Sequence, residues 1–257
     1  MSATSEQAKR GTRKRGIYAR FIKRILDIVF SVILLVLFWW LLAIVAVLVR
    51  VKLGSPVIFK QERPGLNGRV FEMYKFRTML SPQTRDGRVL TDSERLQCLE
   101  NGVDILSDEE RLTRFGRILR MLSIDELPEL FNILKGDMSF VGPRPLAVIY
   151  LPYYTNEEMR RHDERPGLTG LAQVHGRNAA KWSDRFSYDL EYVEQVSFIT
   201  DVRILADTVR VVLSREDVAQ GAERPEAFHE VRLREIEEGT IDINDLPGYS
   251  HSRQAKG

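Results

Sequence analysis

Apolar and polar positions change rhythm several times along the chain, and each rhythm predicts an element. From Ile28 to Val49 the sequence reads IVFSVILLVLFWWLLAIVAVLV, with Ser31 as its clearly polar side chain. At about 1.5 Å per residue, a helix of this length reaches across a hydrocarbon core. The run is too long for a signal-peptide core and no small-residue cleavage site follows it. Gly54 to Met79 then alternates with a period of two: VIFKQ and RVFEMYKFRTM flank RPGLNG, which predicts a β-hairpin. That period puts Lys75 and Arg77 on one face and Tyr74 and Phe76 on the other. Ser81 to Asp108 is polar and reads as a loop with one short helix around Ser93 to Glu100. Glu109 to Leu122 predicts an amphipathic helix with Leu112, Phe115, Leu119 and Leu122 as its buried stripe, and Leu127, Leu130, Phe131 and Leu134 continue at helical spacing. Ser183 to Gln195 and Phe198 to Leu213 predict two helices that cover the core, the second through Ile199, Val202, Leu205, Ala206, Val209 and Leu213. From Gly221 onward the chain is polar and charged with isolated hydrophobics, so a tail or docking arm outside the core is expected.

Composition narrows this picture. With 257 residues, 44% hydrophobic and 29% charged, the chain can bury one sizeable core plus appendages. A formal net charge of +2 is too small to imply a nucleic-acid partner, but its distribution is informative. Lys9, Arg10, Arg13, Lys14, Arg15, Arg20, Lys23 and Arg24 precede the apolar run, offset by Glu6, and Arg50, Lys52, Lys60 and Arg63 follow it. Both flanks therefore read as cytoplasmic, which a re-entrant segment satisfies better than a span, although no Pro or Gly interrupts the run to supply a bend. The single cysteine, Cys98, excludes an internal disulfide framework and fits a reducing compartment. His162, His175, His229 and His251 show no metal-ligand spacing.

Candidate chemistry concentrates between Ser123 and Pro145, SIDELPELFNILKGDMSFVGPRP. Asp125 and Glu126 stand side by side where a helix begins, and free N–H groups at such a place can hold a phosphate. A structural reading competes: Ser123 and Glu126 match the capping box S-x-x-E. Pro128 favours Asp125 as the cap, because a proline five residues beyond Ser123 would clash with the carbonyl of Ile124, whereas beyond Asp125 it falls in the first turn. Pro143 and Pro145 stiffen the backbone around Arg144, and an immobilised guanidinium suits bidentate recognition of phosphate or stacking on a base. A proline-rich turn with a surface arginine is the plainer alternative. Arg114, Arg117 and Arg120 lie off the apolar stripe of their helix, with Arg120 near enough to Asp125 to meet a phosphate. In RPGLTGLAQVHGRN, Gly167, Gly170 and Gly176 permit close backbone approach, with Gln173, Arg177 and Asn178 as polar contacts. Neither G-x-G-x-x-G nor a P-loop is present.

The ordered set FKQERPGLNG, FEMYKFRTM, RFGRILRMLSIDELPELFNILKGDMSFVGPRP, RPGLTGLAQVHGRN and DVRIL resembles the bacterial sugar transferases of the monotopic phosphoglycosyl transferase family, over about Arg20 to Leu213. The resemblance implies an α+β enzyme: a basic segment (1–24), a membrane-embedded and re-entrant helix (25–53), a cytoplasmic catalytic domain of a small β-hairpin and mainly helices (54–215), and a polar tail (216–257). It implies transfer of a sugar 1-phosphate from a UDP-sugar donor to a polyprenyl phosphate acceptor at the cytoplasmic face of the bacterial inner membrane. Asp125 would be the nucleophile, and Glu126 the partner that holds Mg²⁺. Pro143, Arg144 and Pro145 would bind the uridine nucleotide, while Lys75, Arg77, Arg120, Gln173 and Arg177 are candidate substrate contacts. Membrane lipid is an expected partner, nucleic acid is not, and homo-oligomerisation is left open. One position departs from the family: Trp39 and Trp40 replace the Ser-Pro pair that breaks the membrane helix. A membrane scaffold that binds nucleotide or lipid phosphate without turnover is the alternative function, and retention of both acids and of Arg144 argues against it.

Overall fold

The computed structural model describes residues 16–90, 94, 98, 103–175, 181–214 and 226–249. A π-helical turn, Tyr18–Ile22, leads into α1, Lys23–Leu53, which ends at Gly54 with φ 81°. A left-handed C-terminal residue favours glycine, because a Cβ there would be strained. The hairpin forms as expected from β1, Ile58–Pro64, and β2, Val70–Phe76, paired antiparallel with Lys60 opposite Tyr74 and Ile58 opposite Phe76. A 3₁₀ turn, Leu66–Gly68, closes it.

Further along come α2, Asp108–Arg111, α3, Arg114–Met121, and α4, Glu129–Lys135. β3, Ser139–Val141, pairs in parallel with β4, Gly167–Thr169. α5, Leu171–His175, α6, Trp182–Glu194, α7, Phe198–Ser214, and α8, Phe228–Glu237, complete the described chain. The single helix expected over Glu109 to Leu122 is two. Ser107 closes a capping box on α2 and the Thr113 side chain caps α3, so competing caps divide the run. Leu119 is buried as predicted, but Leu122 is exposed. Of the short helix expected over Ser93 to Glu100, Glu94 and Cys98 are helical, and the remainder lies outside the described residues.

α1 does not dip and return. It is one unbroken helix of 31 residues, long and apolar enough to cross a membrane. One stripe of it nevertheless lies against the rest of the protein along its whole length. Lys23, Asp27 and Ser31 are buried at one end, and Val45, Val49 and Leu53 at the other. Between them Leu34 and Leu35 pack on the cluster of Met73, Leu130, Ile133 and Met138, while Leu41, Leu42 and Ala46 pack on the cluster in which Val45, Val49 and Leu53 meet Phe76 and Leu119. A helix standing upright from a globular domain would touch that domain at one end only. Among the described basic residues, Lys23 and Arg24 at one end and Lys52 at the other contact the domain, because the helix runs along it. Its other face leaves Val29, Ile33, Val36, Trp39, Trp40, Val47 and Val51 exposed, an apolar surface of the kind that marks a membrane or protein interface.

α7 also differs from expectation. Ile199, Val202, Leu205 and Val209 face outward, while Asp201 and Ile204 are buried. The polar residues decide the rotation. Asp201 accepts hydrogen bonds from Tyr18 Oη (2.6 Å), Lys23 Nζ (2.6 Å) and Tyr192 Oη (2.8 Å), and Thr208 Oγ1 lies 2.7 Å from Thr169 Oγ1. Turning the apolar stripe inward would strip a buried charge of these partners, at a greater cost than a row of exposed aliphatics.

Part of the segment expected to lie outside the core is inside it. Phe228 and Leu246 are 1% exposed, and Phe228 packs with Tyr154 and Phe186. Aromatic residues spaced widely in a charged sequence give no periodic signal, so this docking was invisible to pattern reading.

Candidate active site

The acid pair sits between α3 and α4, one turn earlier than the sequence suggests. α4 begins at Glu129 with Pro128 at its N-cap position, so Asp125 is not its cap. Asp125 and Glu126 belong instead to a 3₁₀ turn, Ile124–Glu126, entered through Ser123 at φ 53°, and the Ser123 side chain makes no capping bond. The left-handed turn at Ser123 reverses the chain sharply enough to bury Asp125 to 8% exposure while its neighbour Glu126 stays half-buried.

The opposite wall is β2. Its edge strand would have free backbone groups, and Asn132 of α4 satisfies them: Oδ1 accepts from Tyr74 N (2.9 Å) and Nδ2 donates to Glu72 O (2.6 Å). Asn132 stands in for a third strand and fixes β2 on α4. Lys75, the next residue, is thereby aimed at the acids: its Nζ is 2.6 Å from Glu126 Oε1 and 3.1 Å from Glu129 Oε1. α1 supports the far end of α4, where Arg24 donates to the carbonyls of Ile133 (2.5 Å) and Leu134 (2.7 Å). These are carbonyls at a helix C-terminus, which want donors and positive charge.

Electrostatics follow from burial. Burial raises the Asp125 carboxyl above the usual range and the negative Glu126 adds to this, while Lys75 and Arg120 pull it down. Arg120 reaches toward Asp125 with Nε donating to Thr78 Oγ1 at 3.0 Å. Glu129, buried more deeply, is pushed up to about 7, chiefly by burial, with Lys75 opposing and Glu126 reinforcing the rise. Such perturbed acids around one ammonium are the pattern that functional sites share.

The Arg144 turn lies beside this cluster. Arg144 is exposed, Pro143 is buried, and the Arg144 guanidinium helps hold down the Glu129 carboxyl. Glycines let its backbone pass close to its neighbour: a Cβ on Gly142 would meet Arg165 O at 2.2 Å, and one on Gly167 would meet Gly142 N at 2.1 Å. Gly170 similarly abuts Gly142 O, at 2.1 Å from a built Cβ, so the crowding anticipated at Gly167 and Gly170 is real. Gly176 lies outside the described residues.

Of the residues singled out by sequence, Asp125, Glu126, Lys75 and Arg120 come together, and Arg144 joins them through Glu129. Pro143 and Pro145 flank Arg144 as expected, lining a depression with Pro64, Arg161 and His162. Arg77 does not join. It is buried at the end of α1, donating to the carbonyls of Leu53 and Ser55 (2.8 Å to the latter) and to Ser81 Oγ (3.1 Å). Gln173 turns back on β4, donating to Leu168 O at 3.1 Å. Arg177 lies outside the described residues.

Three residues were missed. Glu129 and Asn132 were given no role by the sequence, because nothing in their immediate neighbours marks them. Arg63, read only as a basic flank, is half-buried, with its guanidinium pKa lowered by burial and by neighbouring Arg144. The only signal for Arg63 was its place at the mouth of the hairpin turn.

Among the described residues no group of three or more His, Cys, Asp or Glu side chains could enclose a metal. The donors present fit Mg²⁺ in another way. Asp125 and Glu126 are adjacent hard carboxylates, and Glu129 Oε1, 3.1 Å from Lys75 Nζ, lies close to Glu126. Mg²⁺ characteristically takes one or two carboxylates and completes its shell with substrate phosphate and water.

A second feature adjoins the acids. An apolar cleft of about 240 Å³, open to solvent, is lined by Leu42 and Ala46 of α1, Ile58, Tyr74 and Phe76 of the hairpin, and Pro128 and Phe131.

The model of the family described as "Bacterial sugar transferase" matches residues 18–215. The chain is 46% identical over 199 residues to "Uncharacterized sugar transferase EpsL" of Bacillus subtilis, covering 77% of this chain and 91% of that protein. It is 38% identical over 206 residues to the "UDP-glucose:undecaprenyl-phosphate glucose-1-phosphate transferase" of Caulobacter vibrioides, covering 76% and 71%. It is also 38% identical over 199 residues to the "Undecaprenyl-phosphate galactose phosphotransferase" of Salmonella typhimurium, covering 77% of this chain but 42% of that longer protein. A family match across most of the chain, with the buried acid turn, β2 and the Arg144 turn all inside it, places this protein in the bacterial sugar transferase family.

Proposed function

We propose that this chain is a polyprenyl-phosphate sugar-1-phosphate transferase, moving a sugar 1-phosphate from a UDP-sugar to undecaprenyl phosphate. The relatives named for that reaction support the class. The observation that carries the mechanism is Asp125, buried beside a Glu126 that Lys75 holds at 2.6 Å.

An Asp125 carboxylate oxygen attacks the β-phosphorus of the donor. A new P–O bond to Asp125 forms as the bond from that phosphorus to the bridging oxygen breaks, and UMP leaves with the bridging oxygen and its electron pair. The side chain then carries the sugar phosphate as an acyl phosphate. A phosphate oxygen of the acceptor next attacks the same phosphorus, the acyl P–O bond breaks, and the Asp125 carboxylate is restored. Lys75, Arg120 and Arg144 offset the repulsion between an anionic nucleophile and an anionic diphosphate. Mg²⁺, when bound, would be held through Glu126 with Asp125 nearby and would supply positive charge to the diphosphate oxygens. Arg144 between Pro143 and Pro145 meets the uridine nucleotide.

The apolar cleft supports the route of the acceptor. It runs from α1 to Pro128, three residues from Asp125, so an isoprenoid chain held there would present its phosphate to the acid turn. The exposed apolar face of α1 supports an anchor in the membrane, with the basic segments favouring its cytoplasmic face.

The test is incubation with a UDP-sugar panel and labelled donor. Wild type releases UMP and retains labelled sugar phosphate on protein, and Asp125→Asn does neither. Equal UMP release by Asp125→Asn, or wild-type turnover with no label trapped, would overturn the covalent scheme.

A further inference from the structure

The region shared with the family ends at residue 215, yet the chain beyond it returns to the site. Arg161 is fully enclosed. It donates through Nε (3.0 Å) and Nη2 (2.6 Å) to Asp189 Oδ2, and through Nη2 to the carbonyl of Arg144 at 2.7 Å. The carbonyl and the guanidinium of Arg144 share one stiff residue between two prolines, so fixing the first restricts the second. The Arg161 guanidinium in turn lies 5.7 Å from the ring centres of both Tyr154 and Phe186.

Both rings are backed by Phe228 of α8, stacked on Tyr154 at 5.4 Å and edge-on to Phe186 at 4.9 Å. α8 is held in place without help from the acids of the site. Arg232, 3% exposed, pairs with Glu158 and, at 2.9 Å, with Glu235, and Trp182 Nε1 donates to Glu226 O at 2.9 Å. The charged sequence around Phe228 therefore serves to present one aromatic ring to an internal wall.

We infer that residues 226–249 are a positioning element of the donor site, acting from Phe228 through the Tyr154–Phe186 pair and Arg161 to set the orientation of Arg144 toward a uridine nucleotide. The inference rests on the proposed role of Arg144 in nucleotide recognition, but it does not require turnover. Contact with substrate belongs to Arg144; Phe228 and Arg161 are positioning residues.

The experiment is a double-mutant cycle on the full chain in detergent, read as affinity for UMP. Phe228→Ala is expected to weaken UMP binding about tenfold, since displacement of a binding group by a remote substitution is costly. Phe228→Leu, which keeps an apolar side chain but loses the ring stack, should shift it in the same direction by less. Arg144→Ala weakens binding by itself, and adding Phe228→Ala to it should weaken binding no further, because coupled residues are non-additive. A general loss of structure would instead multiply the two effects. Unchanged UMP affinity in a folded Phe228→Leu and Phe228→Ala pair, multiplicative losses, or a wild type that binds no UMP overturns the inference. Absence of trapped sugar phosphate in a wild type that binds UMP counts against the covalent mechanism alone.

Discussion

Replacing Lys75 with methionine removes the ammonium that Glu126 and Glu129 share, and the consequence should depend on pH in a defined direction. The Glu129 carboxyl is raised from 4.5 to about 7 in the folded protein, chiefly by burial. A raised pKa means that folding takes up a proton, so this contribution to stability is whole below pH 4.5 and is lost as pH rises through 7. At pH 5 Glu129 is therefore protonated with or without Lys75. The substitution then costs only the Lys75–Glu126 pair, whose side chains are 19% and 24% exposed, about 1 kcal/mol. At pH 8 Glu129 is ionised in the wild type with only 4% of its side chain exposed. Leaving that charge unpaired costs about 3–5 kcal/mol, a figure limited by protonation at about 1.4 kcal/mol per pH unit of raised pKa. The expected loss is therefore about 3 kcal/mol at pH 8 against about 1 kcal/mol at pH 5. Urea unfolding of detergent-solubilised protein from pH 5 to 9 measures both values. Glu129→Gln, which cannot ionise, should flatten the difference. A loss equal at the two pH values, or larger at pH 5, refutes the assignment of Glu129 as the buried partner of Lys75.

Three further outcomes are expected. Gly142→Ala should destabilise by about 2–3 kcal/mol and lower nucleotide affinity, because its Cβ would fall 2.2 Å from Arg165 O; thermal unfolding and UMP binding measure this. Asp201→Asn breaks the buried pair with Lys23 and should cost about 3–5 kcal/mol, part of which returns in Lys23→Met/Asp201→Asn as the unpaired charge is removed; a double variant less stable than the single refutes this. Ala46→Trp should fill the apolar cleft and slow transfer to undecaprenyl phosphate while the first UMP burst persists, as rapid-quench kinetics would show; loss of the burst itself would place the cleft elsewhere in the reaction.

Local pattern carried much of the architecture. The apolar run of α1, the hairpin around RPGLNG, and α6 and α7 follow from composition and period, because each depends on neighbours in sequence. The acid pair and the Arg144 turn were legible from local features too: adjacent carboxylates stand out at a predicted helix start, and paired prolines restrict the backbone around Arg144. What failed was the direction in which elements face. The apolar stripe of α7 points outward because Asp201 finds Tyr18, Lys23 and Tyr192, residues far from it or on another helix. Arg77, one pleat from Lys75 on paper, serves the end of α1, and Glu129 and Asn132 gain their roles only when β2 is laid against α4. The docking of Phe228 likewise needs a wall assembled from Tyr154 and Phe186. Sequence by itself determined which segments could form and where anionic chemistry could reside, since propensity, period and covalent stiffness act over a few residues. Tertiary structure alone decided which charges are buried together, because desolvation and pairing belong to surfaces that meet only after the chain has folded.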